Sequence, residues 1–474
     1  MDMAAAPERA RFRDVLGVAE FRILLIAQAQ SRMGDQLARV ALALLVYDRY
    51  ESAVLTTLVY ALTYLPPLLS APFLTGLADR YPRRTVMVVT DAARALLVAL
   101  MVIPGLPLPV IAALVVVLTC PQPLFSAARN AVIPAILTGD RFPVGMSIVN
   151  VTDFVSQLAG FTTGGVLVAF LGGPHVALAV DAVTYVISAV MVRLGTAPHR
   201  PADGDGASGA GRRLTAGLRV LAGDRRLGGL TGLIWLYGCY LAPVALAAPY
   251  AHQIGASQAV VGVLIAADLP GAALGGLLVA RFPPNVRSRA MVPLAIATGL
   301  PIAATALAPP VAVTVLLWAC GGALSSYLTL AQVTLTSAIP DGLRGRVIGV
   351  AAAGLQTAQG LGVLLAGAFT EILPPSASIA LCGLLGTAGA TAISLSCGLA
   401  GPPRRASAPT PPGAARDAVR ESRLGVQLPH PRPGRQAQGD NGGQLDRGDG
   451  GEGGPQRGGR AERQAGHDRV GEER

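Results

Sequence analysis

The sequence predicts an all-α membrane protein of twelve transmembrane helices arranged as two pseudo-symmetric six-helix bundles. Three observations predict it. Of 474 residues, 52% are hydrophobic and only 14% are charged, and the mean hydropathy is +0.51. A water-soluble domain of this length does not sustain such a composition. Apolar runs long enough to cross about 30 Å of hydrocarbon recur up to residue 400. Between those runs, arginines crowd alternate loops, which orients the runs against one another.

Taken in order, residues 1–20 are a charged N-terminal segment without a short apolar core and small-residue cleavage site, so no removable signal peptide is expected. The first bundle spans 21–197, with runs near 21–47, 53–78, 85–104, 107–130, 143–171 and 174–197. Residues 198–228 are Gly-rich and polar and read as a central loop. The second bundle spans 229–400, with runs near 229–253, 258–281, 290–307, 310–338, 346–372 and 375–399. Each run must be helical, because lipid offers no partner to a free backbone N–H or C=O. From 401 to 474 the composition shifts to Pro, Gly, Arg, Gln, Asp and Glu, a tail that cannot bury a core and is expected to be disordered.

The charge pattern sets the topology. No lysine occurs, so all 38 basic residues are arginine, and the net charge is +10. One face holds Arg9, Arg11, Arg13, Arg80, Arg83, Arg84, Arg141, Arg212, Arg213, Arg225 and Arg226, then Arg281, Arg287, Arg289, Arg344, Arg346, Arg404 and Arg405. The other holds Arg49, flanked by Asp48 and Glu51, and then Glu371. Strict alternation of this kind predicts a multi-pass protein of a cell membrane with both termini cytoplasmic. It also excludes a nucleic-acid binder, whose basic residues would form one stripe. The five cysteines all lie in apolar runs without Cys-x-x-Cys spacing, so neither disulfides nor a zinc site is expected. No metal or cofactor is expected, and the chain is expected to act as a monomer embedded in the bilayer.

Between the second and third runs lies a dense charged turn: Leu74, Thr75, Gly76, Leu77, Ala78, Asp79, Arg80, Tyr81, Pro82, Arg83 and Arg84. The positive-inside rule explains its arginines but not Asp79 held between Ala78 and Arg80. The turn resembles the loop between helices two and three of the major facilitator superfamily, with its Gly-x-Leu-Ala-Asp-Arg-x-Gly-Arg-Arg signature. Leu77, Ala78, Asp79, Arg80, Arg83 and Arg84 fit. Thr75 and Pro82 replace the two glycines, and Gly76 sits one place late. The resemblance covers about residues 15–400 and implies the major facilitator fold. It also implies a conformational switch at Gly76, Leu77, Asp79, Arg80, Arg83 and Arg84, with Asp79 meeting a helix N-terminus of the opposite bundle. Phe21-Arg22, Ser31 to Gln36, Leu45 to Asp48, Phe125 to Arg129, Asp181 to Tyr185 and Arg344 to Val347 are similar to the branch of bacterial siderophore and macrolide exporters.

A weak internal repeat accompanies the two halves. Gln157, Gly160, Gly164 and Gly165 of the fifth run correspond, at constant offset, to Gln359, Gly362, Ala366 and Gly367 of the eleventh. Asn150, Asp153, Gln157, Gly160 and Gly164 step by three and four, so they share one helical face, which must meet protein or a wet cavity rather than lipid. Gly160 to Gly165 resembles the Gly-Pro-x-x-Gly-Gly pattern of proton-coupled exporters, with Phe161 in the proline's place. A plain Gly-x-x-x-Gly packing seam is the alternative.

Ionisable groups at membrane depth are functional candidates by default. Arg32, Asp35 and Arg39 share a face of the first run, and Asp91 and Arg94 form a local pair in the third. These five read as a charge clamp. The first trio alternatively leaves a positive spot for an anionic substrate group. Asp268 has no basic residue within a turn on its own helix, with Pro270 just beyond it. A lone carboxylate exchanges a proton or holds a cation, unless an arginine of another helix pairs with it. The proton-coupling candidates are Asp268, then Asp153, then Asp35. Trp235, Tyr327, Gln332 and Gln356, with Tyr237 and Tyr240, are candidates for a substrate cavity; interfacial anchoring is the alternative for the last two.

The expected function is secondary active transport, with protons driving efflux of a small amphipathic molecule such as a drug, antibiotic or siderophore. An uptake permease of the same fold is the nearest competitor. A membrane subunit of an ATP-driven transporter would need a partner ATPase, since no phosphate-binding Gly-x-x-x-x-Gly-Lys-Ser/Thr loop is present. A membrane-embedded enzyme would need clustered nucleophiles that five scattered histidines do not supply, so no enzymatic activity is expected.

Overall fold

Apolar runs make the helices, and prolines decide where several of them break. The computed structural model describes residues 11–78, 80–170, 172–198 and 210–399. Among them there is no strand. A short α1 (Phe12–Leu16) precedes the long α2 (Ala19–Tyr50), which stops at Glu51 in the left-handed region with φ 46°. Ser52 then caps α3 (Ala53–Ala61), its hydroxyl accepting from the Leu55 N–H at 3.3 Å. The second run does not continue as one helix. Pro66 and Pro67 lack the N–H groups that Leu62 and Thr63 would need, so the chain turns there and resumes as α4 (Leu65–Ala78).

After the charged turn comes α5 (Arg83–Met101). The fourth run is likewise divided, at Cys120 and Pro121, into α6 (Leu108–Thr119) and α7 (Gln122–Ile136). Unbroken α8 (Arg141–Phe170) and α9 (Pro174–Gly195) complete the first half, joined through Gly173 at φ 89°, which favours glycine.

The segment read as a central loop holds a helix. Residues 199–209 lie outside the described residues, but α10 (Ala210–Gly223) follows them, and α11 (Arg225–Leu236) begins four residues before the expected boundary at 229. Leu214, Leu218 and Leu221 recur at helical spacing, and α10 packs on α19 (Asp341–Phe369), Gly217 lying against Val350. Asp224 caps α11 through the N–H groups of Arg226 and Leu227, at 2.8 and 3.2 Å. A 3₁₀ turn at Cys239–Leu241 breaks the seventh run before α12 (Ala242–Ala245) and α13 (Ala247–Gln253).

The eighth run breaks at Ala267, because Pro270 removes the N–H that the Ala266 carbonyl would accept; α14 (Gln258–Ala266) therefore gives way to α15 (Asp268–Arg281). Next comes α16 (Pro284–Ala303). The tenth run breaks at Ser325 and Ser326, between α17 (Val311–Leu324) and α18 (Tyr327–Ala338). After α19, the last helix is α20 (Pro375–Cys397), closed by Gly398 at φ 61°.

Ten stretches of the described residues are long and apolar enough to cross a membrane, and each coincides with an expected run. The two remaining expected runs, 21–47 and 85–104, fold as α2 and α5. The charges within them keep them out of that set by composition. Large apolar side chains point outward along the helices, among them Leu69 at 71%, Phe170 at 75% and Leu395 at 77% exposed. That is the surface of a body solvated by lipid.

The repeat read in the sequence reappears in the packing. Gly160 of α8 lies against the Met33 carbonyl of α2, and Gly164 against Leu37 and Val40. Gly362 of α19 lies against the Gly238 carbonyl in the equivalent place. Gly165 reaches across to α14, and Gly367 reaches back across to Thr57 of α3. Thus the same two positions in each half make one contact within the half and one between halves. These glycines form close packing seams.

Candidate functional site

The helix interruptions gather around two cavities, one in each half. In the first half the cavity is lined by Thr63 from the α3–α4 break and by Thr119 and Gln122 from the α6–α7 break. Asp35, Arg39, Arg94, Asp181 and Tyr185 supply its charge and its hydroxyl. The expected clamp is therefore one part of a larger cluster.

Arg32 pairs with Asp35 at 3.7 Å, as their spacing of three residues on one helix predicts. Tyr185 donates its hydroxyl to Asp35 from α9. Asp91 is fully buried and accepts from Ser188 at 2.6 Å, while Arg94, 6% exposed, lies over the Tyr185 ring at 5.3 Å. Arg39 lies over Tyr64 at 5.4 Å. Asp181 is 1% exposed, its carboxylate accepting from Thr184 at 3.3 Å, and it faces Gly34, where any side chain would collide with it.

Three arginines (Arg32, Arg39, Arg94) thus meet three carboxylates (Asp35, Asp91, Asp181), and the formal charges cancel. Without Asp181 the cluster would carry a spare positive charge.

Desolvating a charge costs several kcal/mol unless partners compensate it. Guanidinium–aromatic contacts contribute about 2 kcal/mol when desolvated. Replacing Arg94 by Leu removes both kinds of support and leaves Asp91 and Asp181 under-compensated. The expected result is a loss of about 3–5 kcal/mol, read as a lower thermal unfolding midpoint of the detergent-purified protein. An unchanged midpoint would show that Arg94 is not holding the buried charges.

The second cavity lies in the other half. Three interrupted runs converge on it: Tyr237, Tyr240 and Pro243 from the seventh, Asp268 from the eighth, and Gly321, Gly322 and Ser325 from the tenth. Asp268 opens α15, a favourable place for a carboxylate at a helix N-terminus. No basic residue lines this cavity. The cross-helix arginine considered for Asp268 does not line it.

The remaining candidates separate. Asp153 is partnered: Gln28 donates to it at 3.3 Å, and Arg129 forms an ion pair with it at 3.9 Å. Tyr327 is fully buried, edge-on to Tyr240 at 6.2 Å. Trp235 donates to the Ala351 carbonyl at 3.1 Å and lies flat on Gly354, outside both cavities; Trp318 takes the place in the second cavity that the sequence reading gave to Trp235. Gln332 and Gln356 are exposed, while Gln157 and Gln359 are half-buried.

In the charged turn, Arg83 donates to the Ala131 carbonyl at 2.6 Å and Arg84 to the Thr196 carbonyl at 3.3 Å, at the end of α9. Asp79 lies outside the described residues. Gly76 and Leu77 are within α4.

An all-helical membrane body with polar cavities at interrupted helices is the architecture of a secondary transporter. The family model of the Major Facilitator Superfamily matches residues 24–321, more than half of the chain. The chain belongs to the major facilitator superfamily, whose fold is that of transporters rather than enzymes. It is 28% identical over 186 residues to the MFS-type transporter YfiS of Bacillus subtilis (strain 168), covering 39% of this chain and 43% of that relative. Among solved structures, it resembles the nucleoside transporter NupG with a TM-score of 0.64 and 11% identity, over 80% of this chain and 98% of that one. A bacterial homologue of the iron transporter ferroportin, in an inward-facing state, matches with a TM-score of 0.59 and 16% identity, over 81% and 99%.

Proposed function

We propose that the protein is a proton-coupled exporter of small amphipathic molecules, of the branch that includes bacterial siderophore and macrolide exporters. Two six-helix bundles, twelve transmembrane helices in all, rock about the midplane cavities, with both termini and the charged turn on the cytoplasmic side. The observation that carries the reading is the division of charge between the two cavities. The first is compensated internally and suits a structural role. The second holds Asp268 with no basic partner among the described residues, which leaves this carboxylate to exchange a proton as the cavity changes sides. One proton enters bound to Asp268 as one substrate molecule leaves, and it is released to the cytoplasm before the next cycle.

Everted membrane vesicles from expressing cells test this reading. An acid-inside pH gradient should drive accumulation of amphipathic drugs, without ATP, and a protonophore should abolish it. Accumulation only in right-side-out vesicles would make the protein an uptake permease. A requirement for ATP would make it a subunit of an ATP-driven transporter.

A further inference from the structure

A third cavity, of about 430 Å³, lies at the end of the first half opposite the charged turn, where α2 and α5 stop and α9 begins. It shares no lining residue with the two cavities above. Its floor is aliphatic, with Leu45, Met101 and Ile111 at most 8% exposed. Its rim is charged, with Asp48 and Arg49 both exposed.

Arg49 calls for a reason here, because the other arginine-bearing loops crowd the opposite face. It forms no ion pair among the described residues. Its guanidinium instead donates to the Leu106 and Gly105 carbonyls, which fixes its place on the rim and leaves its other N–H groups for an anion. Asp48 is held as well: one carboxylate oxygen accepts from Gln258 of α14 at 2.9 Å, and the second remains for a donor. Two opposite charges thus line one cavity without neutralising each other. The start of α9 adds to the positive side. Its N-cap, Gly173, has no side chain to close the first turn, and the Nδ1 of His175 is buried with no partner among the described residues.

A simple anion would leave Asp48 unmet, and a simple cation would leave Arg49 unmet. A molecule carrying both charges and an apolar body meets the whole lining. The position of the cavity selects its source. Ends of membrane-spanning helices lie at the level of lipid headgroups, and exposed aliphatic side chains lead away along the framing helices, Leu100 and Leu96 on α5 and Val183 and Ile187 on α9. We infer that this cavity is a headgroup site for a zwitterionic aminophospholipid. The phosphate meets Arg49 and the first turn of α9, the ammonium meets Asp48, and the glycerol ester end covers Leu45, Met101 and Ile111. The volume is that of a ligand site. Neither the direction of transport nor its energy source enters this inference.

Native mass spectrometry of the detergent-purified full chain, titrated with single lipids, tests it. Dioleoyl phosphatidylethanolamine should bind about tenfold more tightly than phosphatidylglycerol, which lacks the ammonium, or phosphatidylcholine, whose ammonium has no N–H to donate. The two charges should separate by substitution. Arg49→Gln should weaken phosphatidylethanolamine and phosphatidylglycerol alike. Asp48→Asn, which can still accept from Gln258, should lower phosphatidylethanolamine to the level of phosphatidylglycerol and leave the latter unchanged.

Equal binding of the three lipids would reduce the cavity to ordinary lipid solvation and overturn the inference. A preference for phosphatidylethanolamine that survives both substitutions would place the headgroup elsewhere and overturn it too. So would displacement of the lipid by equimolar glycerophosphoethanolamine, which has the headgroup without chains and would make the site one for a soluble zwitterion. If Arg49→Gln does not fold, because Arg49 also holds the loop at Gly105, the lipid series and Asp48→Asn still decide.

Discussion

Gly165→Val is expected to abolish transport while leaving the protein folded. A Cβ at Gly165 would lie 2.7 Å from the Ala259 carbonyl oxygen and 2.8 Å from the Gly262 N–H nitrogen, both of them backbone atoms of α14. Backbone on both sides cannot swing away as a flexible side chain would. Overpacking of this kind costs about 1–3 kcal/mol, and because about 1.4 kcal/mol is a tenfold change, the closed contact loses about five- to a hundredfold in population. That contact joins the halves. At the same end Gln258 donates to Asp48 at 2.9 Å, and Tyr47 meets His252 edge-on at 5.6 Å.

Alternating access requires this end to close in one state, so a protein that cannot close it does not complete the cycle. Spin labels on either side of the α8–α14 seam should report a greater separation in the variant. Gly349→Ala is the control, because a Cβ there meets nothing and an alanine in a helix is favourable by about 0.5–1 kcal/mol. Transport by Gly165→Val at the wild-type rate would show that the seam does not need to close.

Length and apolarity made the helices legible, because lipid admits no other backbone solution. Prolines made four of the five interruptions legible in principle: Pro66, Pro121, Pro243 and Pro270 each remove a donor beside a break. The break at Ser325 and Ser326 has no such mark. Charge pairs were legible when both members sit on one helix. Arg32 and Asp35 are three apart, and they pair.

What the sequence did not reveal was every partnership between helices. Asp181 was met only inside a run similar to the exporter branch, yet it completes the buried cluster, because Gly34 lets its carboxylate approach α2. Nothing local to residue 181 marks a contact with residue 34. Asp153 was read from its polar stripe, and the structure adds Gln28 and Arg129 from two other helices. Trp318, not Trp235, lines the second cavity for the same reason: an apolar stretch does not declare which of its faces meets a cavity. Asp268 was legible as lacking a partner on its own helix. That no basic residue from another helix lines its cavity emerged only from the fold.

Asp268→Asn is expected to abolish uphill export driven by a pH gradient while sparing downhill exchange. The amide keeps the size of the carboxylate and can accept a hydrogen bond, but it cannot titrate. Asp153 is a weaker candidate, because it already has two partners, Arg129 and Gln28. Asp35 is weaker still, held by Arg32 and by the Tyr185 hydroxyl within a cluster whose charges already cancel. Asp268 differs in that, among the described residues, no cation lines its cavity. In everted vesicles, therefore, Asp268→Asn should show no accumulation under an acid-inside gradient, yet it should equilibrate preloaded substrate when a concentration gradient alone is present. Accumulation against the concentration gradient by this variant would move the coupling proton to Asp153, where Asp153→Asn is the next test. Loss of both uphill and downhill movement would instead assign Asp268 to substrate contact or folding rather than to coupling.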